Sequence, residues 1–548
     1  MKSWHILHDT NYKKELKPVD IVKVLLQNRG IDFKNSDDFF NPKISDINLQ
    51  SIGIEESEFQ KFTTRIIKAI KDKERIIIFG DYDVDGICAS AILWETLFAK
   101  TDKVSPYIPD RVDEGYGLSV KGIDNVLEKF PETKIIITVD NGIVAYDAVS
   151  YSKTKGIDVM ITDHHVRGEK LPDAYCILHT TALCGAGIAW VVASLLEFEQ
   201  KSKIEEKIEL AALATVADLV PLVGPNRAIV KSGLEILRKT KRPGLIELLR
   251  EAAIDKSSIG VYAIGHIIAP RINASGRIQS AMNALRLLCT NNIEKAKMLS
   301  SMLSDVNRDR QDLTEEAVEH AKLLALESTK SSRITVVAHE SYNQGIIGLV
   351  ASRLVESYYK PSFAIAKGEK ISKGSARSIV GVNIIELIRS VSSTIIEAGG
   401  HPMAAGFSVA TNRIEEFTEA LSRKADEIIT DNLLKRTLNI DMLLPFSSID
   451  EKLVAEIQKL EPYGMANSEP VFATKGVTIG EVRKIGRDQN HLKMKLEKEG
   501  KVFDAIGFRF AEKVDVSPGD IVDVAYTVDE NEWNGRVSLQ LKIRDILI

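Results

Sequence analysis

The stretch Asp81-Tyr82-Asp83-Val84-Asp85-Gly86 sets three carboxylates on alternate positions, directly after the apolar run Arg75–Phe79. Like charges this close repel one another, so the arrangement needs something that cancels the charge. A calcium loop would do so, and the pattern DxDxDG opens an EF-hand. Two features exclude that reading: the twelfth loop position, where a bidentate Glu is required, is Ile92, and the loop follows a strand-like run rather than a helix. A helix cap accounts for one of the acids, Asp85 by its place, but not for all three. Bound divalent cations account for all of them. The next strand-like runs point the same way. Lys134–Val139 leads into Asp140-Asn141-Gly142, and Asp158–Thr162 leads into Asp163-His164-His165. A set that mixes carboxylate and imidazole suits manganese and admits magnesium.

Such residues need a scaffold that gathers them. Between Glu74 and Thr180 the short apolar runs RIIIF, KIIITV, DVMIT and AYCIL alternate with segments of helical spacing. Strict alternation of this kind predicts βαβ units around a parallel sheet, whose strand ends deliver the acids and imidazoles to one edge. Residues 186–238 read as helices rich in small side chains. From Asn292 to about Thr329 apolar positions recur at helical spacing without Gly or Pro, which predicts one long helix bridging two lobes. A second α/β pattern runs from Arg333 to Val409. After Leu438 short alternating strands predict a small β-barrel, with its last two strands joined across Glu530–Gly535 as a hairpin.

The length of 548 residues calls for several domains. Lys and Arg number 72 against 77 Asp and Glu, so a wholly basic nucleic-acid coat is excluded while a local basic channel is not. The four cysteines form no CxxC pair, which argues against a zinc site or disulfide framework and fits a reducing cytosol. The N-terminus carries no apolar signal-peptide core, and no apolar run reaches membrane-spanning length, so a cytoplasmic protein without a membrane partner is expected.

In order along the chain, DYDVDG, TVDNG, ITDHH and ALATVADLVPL resemble the motifs of the DHH phosphoesterase family, and most closely those of its RecJ branch of single-strand-specific exonucleases. PRINASGR (270–277), GIIGLVASRL, KGSARS (373–378) and GGHPMAAGF (399–407) resemble the later motifs, including the second lobe called DHHA1, and LEPYGMANSEPVF (460–472) resembles the entry to an OB-fold. The resemblance implies an N-terminal cap over 1–50, a DHH catalytic domain over 51–238, a helical connector over 239–330, a DHHA1-like domain over 331–438 and a nucleic-acid-binding OB-fold over 439–548. It implies metal ligands at Asp83, Asp85, Asp140, His164 and Asp218, with Asp140 bridging two divalent cations, manganese preferred. His165 would face the scissile phosphate, and Asp81 would be a further ligand or support the ligands. Arg111, Arg277, Ser375, Arg377 and His401 would hold phosphates. Lys484, Arg487, Lys493, Lys495 and Arg509 would line the barrel's groove.

Two positions depart from the family pattern. Phe79 stands where other branches have a His, which leaves one metal site with fewer protein ligands, and Ile177–Thr180 stands where an Asn-Pro is expected, so His179 reads as a surface or packing residue. The activity implied is 5′-to-3′ hydrolysis of single-stranded DNA in repair and recombination, from a cleft between lobes too narrow for a duplex. A single-strand-binding protein and a repair helicase are the implied protein partners. The alternative enzyme is a phosphodiesterase acting on oligoribonucleotides or cyclic dinucleotides. A pyrophosphatase is disfavoured by GGHPMAAGF, and a decayed binding subunit by the intact acids and both histidines.

Overall fold

A computed structural model of the chain describes residues 3–8, 16–111, 113–327, 333–533 and 536–548. It divides into two compact units, one built from Pro18–Asn307 and Ala455–Glu469, the other from Met1–Lys17, Arg308–Val454 and Pro470–Ile548. The long helix runs over Ile293–Glu327, so its first part belongs to one unit and its remainder to the other. Its expected end at Thr329 lies outside the described residues. Among the described residues no helix is long and apolar enough to cross a membrane.

The first unit is organised by a five-stranded parallel sheet in the order Val104–Tyr107, Arg75–Phe79, Thr133–Val139, Asp158–Asp163, Cys176–His179. Its strands read as continuous apolar runs because both faces are covered. Ile76 and Ile78 enter one apolar layer with the helices Val84–Phe98, Gly185–Leu196 and Ile208–Ala217. Ile77 and Phe79 enter the opposite layer with Val120–Lys129 and Tyr146–Thr154. All four strands expected from the sequence are present. The edge strand Val104–Tyr107 is not legible in the pattern because it contains Pro106, which cannot donate to a ladder and is tolerated at an edge. Cys88, Cys176 and Cys184 are buried free thiols, and Cys289 is a partly buried one.

The second unit holds two sheets. One is mixed and five-stranded, in the order Glu397–His401, Ala404–Ala410, Ile371–Arg377, Ser362–Ala366, Thr335–His339. The other closes on itself as a barrel. Phe472–Ile485 pairs with His491–Lys498 on one side and with Ile521–Trp533 on the other. Lys501–Gly507 and Arg536–Leu547 complete the circuit. Trp533 lies opposite Arg536, while the expected turn at Asn534-Gly535 lies outside the described residues. The strand Thr437–Leu443 extends this sheet and is joined in parallel by Ser3–His8, a strand the N-terminal sequence does not announce.

Candidate metal centre

The parallel sheet reverses its order at one point. Val104–Tyr107 adds to one side of Arg75–Phe79, and Thr133–Val139 adds to the other. A crevice opens beyond the carboxyl ends of strands that diverge in this way. Asp81, Asp83 and Asp85 follow one of these strands and Asp140 the other. Asp158–Asp163 brings in His164 and His165, and the helix Ile208–Ala217 ends at Asp218. Ligand atoms of Asp81, Asp83 and Asp140 lie within 4.8 Å of one another, as do those of Asp85, His164 and Asp218, and those of Asp140, His164 and His165. Asp140 and His164 each belong to two of these groups, so the donors form one continuous set.

Main-chain amides pin the acids. Asp83 Oδ1 accepts from the N–H groups of Asp85 and Gly86, at 2.9 and 3.1 Å. The cap of Val84–Phe98 is therefore Asp83 and not Asp85, because the helix starts at Val84 and the last extended residue before it is Asp83. Asp85 sits inside the first turn and turns its carboxylate to a different helix. Its two oxygens accept from Gly185 N and Ala186 N, each at 2.7 Å, where the amino end of Gly185–Leu196 favours negative charge. Gly185 is required by this approach, since a Cβ there would sit 2.6 Å from the Cβ of Asp140. Asp140 itself adopts the left-handed region, φ 63°, a strained backbone that surrounding structure must hold. Val84 N donates to Asn273 Oδ1 at 2.9 Å, so the PRINASGR helix, Ala269–Ile278, fixes the loop from a third side.

Asp81 Oδ1 and Asp140 Oδ1 are buried and take no hydrogen bond. A buried carboxylate oxygen without a partner is costly, and a cation is the partner that all these donors can share. The protonation states agree. Burial, then the neighbouring acids, push Asp140 and Asp81 far above the ordinary carboxylate range. The same causes raise Asp83 and take Asp218 up to about 8. Burial lowers His164, leaving a neutral imidazole whose Nε2, 3.1 Å from Asp140 Oδ1, can ligate. The donors present thus fit divalent cations.

His165 is different. Burial opposes its charge, but the Asp163 carboxylate outweighs burial and raises it. Asp163 Oδ1 lies 2.8 Å from His165 Nδ1 and also accepts from the N–H groups of His164 and His165. The Tyr116 hydroxyl lies 2.9 Å from His165 Nε2. His179 is buried rather than on the surface. Its Nδ1 accepts from Arg167 Nε at 2.8 Å, so Nε2 carries the proton and donates to the His165 carbonyl at 2.7 Å. Sequence reading missed the holding roles of Asp163, Asn273, Tyr116 and His179. Only Asp163 left a local signal, an acid directly before two residues whose amides it can bind.

The Arg111 guanidinium stands 5.0 Å from the centre of the Tyr82 ring, within the acidic loop. Arg277 ends the Ala269–Ile278 helix, and its charge also reaches the Tyr82 hydroxyl. Ser375, Arg377 and His401 belong to the other unit. Arg377 Nη1 donates to Ser375 Oγ at 3.0 Å. His401 pairs with Ala404 and Ala404 with Arg377, so the three polar side chains share one face of the mixed sheet. On the barrel, Lys484 lines a cleft of about 460 Å3 with Arg483 and Lys513. Lys495 is bound to Glu481 at 2.8 Å, Lys493 lies opposite Arg483, and Arg487 follows the strand Phe472–Ile485. Arg509 N donates to His491 Nδ1 at 3.2 Å, beside the exposed Phe508 ring.

Residues 75–217 match the DHH family N-terminal domain, residues 331–427 the DHHA1 domain and residues 440–545 the RecJ OB domain. The chain is 34% identical to the single-stranded-DNA-specific exonuclease RecJ of Bacillus subtilis, over 98% of this chain and 69% of that one. It is 31% identical to RecJ of Salmonella typhimurium, covering 88% and 89%. The crystal structure of RecJ in complex with Mn2+ from Thermus thermophilus superposes with a TM-score of 0.83 at 27% identity, over 99% of this chain and 79% of that one. A Mg2+ complex of the same protein gives 0.77 at 25%, over 100% and 78%. Shared sequence over nearly the whole chain, with the acids and imidazoles gathered at one sheet edge, places this chain in the RecJ family of single-stranded-DNA-specific exonucleases.

Proposed function

We propose that this chain hydrolyses single-stranded DNA from its 5′ end with two divalent cations, manganese preferred, in cytoplasmic repair and recombination. The observation that carries the reading is the continuous donor set at the sheet edge, with two buried carboxylate oxygens that take no hydrogen bond among the described residues. Asp83 and Asp140, with Asp81, would hold one cation. Asp140, Asp85, His164 and Asp218 would hold the other. Bound there, the cations would activate water and offset charge on the phosphoryl oxygens.

The chain's own residues supply the rest. His165, which the Asp163 carboxylate raises above the ordinary imidazole value, donates a hydrogen bond or proton to the phosphate under attack. The Tyr116 hydroxyl holds Nε2 of that ring in the free chain and yields it to the phosphate when a strand binds. Arg111 and Arg277 balance the charge of phosphates beside the acidic loop. Ser375, Arg377 and His401, sharing one face, hold a terminal phosphate by charge-assisted hydrogen bonds. Residues 439–548 hold the strand through Lys484, Arg487, Lys493 and Arg509 with the Phe508 ring. Lys495 is engaged with Glu481 and contributes less. A single-strand-binding protein and a helicase would present suitable strands.

The test is one panel of substrates with manganese: a 5′-labelled single strand, an oligoribonucleotide, a cyclic dinucleotide and pyrophosphate. Rapid release of mononucleotides from the DNA strand alone is expected. Comparable turnover of the cyclic dinucleotide or pyrophosphate would contradict the reading. Arg377→Ala should cut the preference for a 5′-phosphate over a 5′-hydroxyl by about 1.5–3 kcal/mol, the scale of a hydrogen bond to a charged group. An unchanged preference would remove Arg377 from the pocket.

A further inference from the structure

A cleft of about 660 Å3 lies in the unit of the parallel sheet and uses none of the residues assigned above. One wall is a helix face. Lys231, Leu234, Glu235 and Arg238 follow one another at helical spacing along and just past Gly224–Leu237. The facing wall is an aromatic stack. Tyr262 lies over His266 with ring centres 4.5 Å apart and planes 14° from parallel, and Tyr262 remains 70% exposed. His266 sits in a π-helical turn, Ile264–Ile268, a local distortion found mostly at functional sites. The third wall is Pro462-Tyr463-Gly464, held in place where Leu222 N donates to the Met465 carbonyl at 2.8 Å. Lys459, Glu461 and Glu469 also face the cleft.

The lining has three cations and three carboxylates, so it is not a simple anion trap. It has instead the three chemistries that a nucleotide unit requires. A planar ring can extend the Tyr262–His266 stack on its open side. Glu235 can accept from an exocyclic amino group on the base edge, as acidic side chains do with cytosine. Lys231 and Arg238, on the same helix face, can take the phosphate. Arg238 is held in position by its Nε, which donates to the Ile259 carbonyl at 3.0 Å. Lys231 is anchored by donation to the Phe40 carbonyl. The volume suits a small molecule rather than a protein segment.

We propose that this cleft is a second nucleotide-binding site, separate from the metal centre, in which a base stacks on Tyr262 and its phosphate meets Lys231 and Arg238. The unit it binds comes either from a strand or from a free mononucleotide, and the experiment separates the two. Full-length Asp140→Asn chain, which does not consume the probe, is irradiated with 5-iodo-deoxycytidine monophosphate or with a short single strand carrying one 5-iodo-deoxycytidine. The crosslinked peptides are mapped by mass spectrometry. An adduct on Tyr262 or His266 with both probes identifies a free-nucleotide site. An adduct with the strand alone identifies a strand-holding site. No adduct on either residue with either probe overturns the proposal. Tyr262→Ala in the active chain should weaken strand or nucleotide binding about fivefold or more, the scale of one base–aromatic stack. Cleavage of the shortest substrates should stay unchanged, and unaltered binding would overturn the proposal as well.

Discussion

The acid and imidazole cluster and the barrel are the two regions proposed to meet nucleic acid, yet their charged groups are held in opposite ways. At the sheet edge Asp81, Asp85 and Asp140 are almost wholly buried, and backbone amides or helix ends pin Asp83 and Asp85. On the barrel Lys495 stands in solvent beside Glu481, and Arg509 carries its side chain on a surface turn in the left-handed region, φ 58°. Buried charge interacts strongly and at short range, whereas exposed charge is screened by salt. A single substitution should therefore act as a switch in the first region and as a small, salt-dependent adjustment in the second.

The largest effect is expected at Asp140. Asp140→Ala should abolish cleavage and the tighter phase of manganese binding while the chain stays folded. Its thermal transition without metal should be preserved or raised, because one repelling acid is removed. Turnover within about tenfold of the parent would break the contrast, since removal of a shared ligand should destroy the two-cation geometry.

The cluster should also report its own repulsion. Asp218 is pushed up to about 8, above its value in the unfolded chain. Across the window from about pH 4, the ordinary carboxylate value, up to that raised value, the unfolded chain has released a proton that the folded chain keeps. Stability without metal should fall as pH rises through this window. Manganese should flatten the slope by favouring the ionised acids. Melting curves of the parent and Asp218→Asn check this: equal slopes in the two chains without metal would contradict it.

The two adjacent histidines sharpen the comparison within the centre. His164→Ala should weaken manganese affinity, because its neutral imidazole sits among the ligands. His165→Ala should mainly lower turnover at saturating manganese. Metal titrations that fail to distinguish the two variants would merge their roles. His179→Ala acts one step further out by releasing the His165 carbonyl. A drop in turnover of about tenfold, the scale for support of a ligand shell, with manganese affinity unchanged, is expected. His179→Asn, which keeps a donor near that carbonyl, should recover part of it. A fall in melting temperature with no change in turnover would make His179 a packing residue only.

Much of this arrangement was legible in the sequence. The parallel strands announced themselves because RIIIF, KIIITV and DVMIT are too apolar for anything but a sheet covered on both faces. Their ends named the acids and imidazoles that the structure gathers at one sheet edge, because acids directly after such strands have little structural reason to cluster. What stayed hidden depends on approach in space. Nothing near Asn273 says that it will meet Val84, and the capping role passed to Asp83 because the helix begins two residues earlier than a cap at Asp85 would place it. The strand Ser3–His8 is equally silent, since its partner Thr437–Leu443 lies at the far end of the chain.

The smallest effects belong to the barrel. Lys484→Ala or Arg487→Ala should weaken binding to long single strands a few fold and leave very short substrates unaffected. Removing one cation that neutralises a phosphate should lower the slope of log affinity against log salt by about 0.7. Equal weakening on short and long substrates would mean that the barrel supports folding instead.

The most direct measurement compares linear and circular single strands of one sequence, each with manganese and with a chelator. A metal centre that reads an end should convert the linear strand to mononucleotides only when the cation is present, and should leave the circle intact. Efficient cutting of the circle, or cleavage that persists with the chelator, would contradict the account.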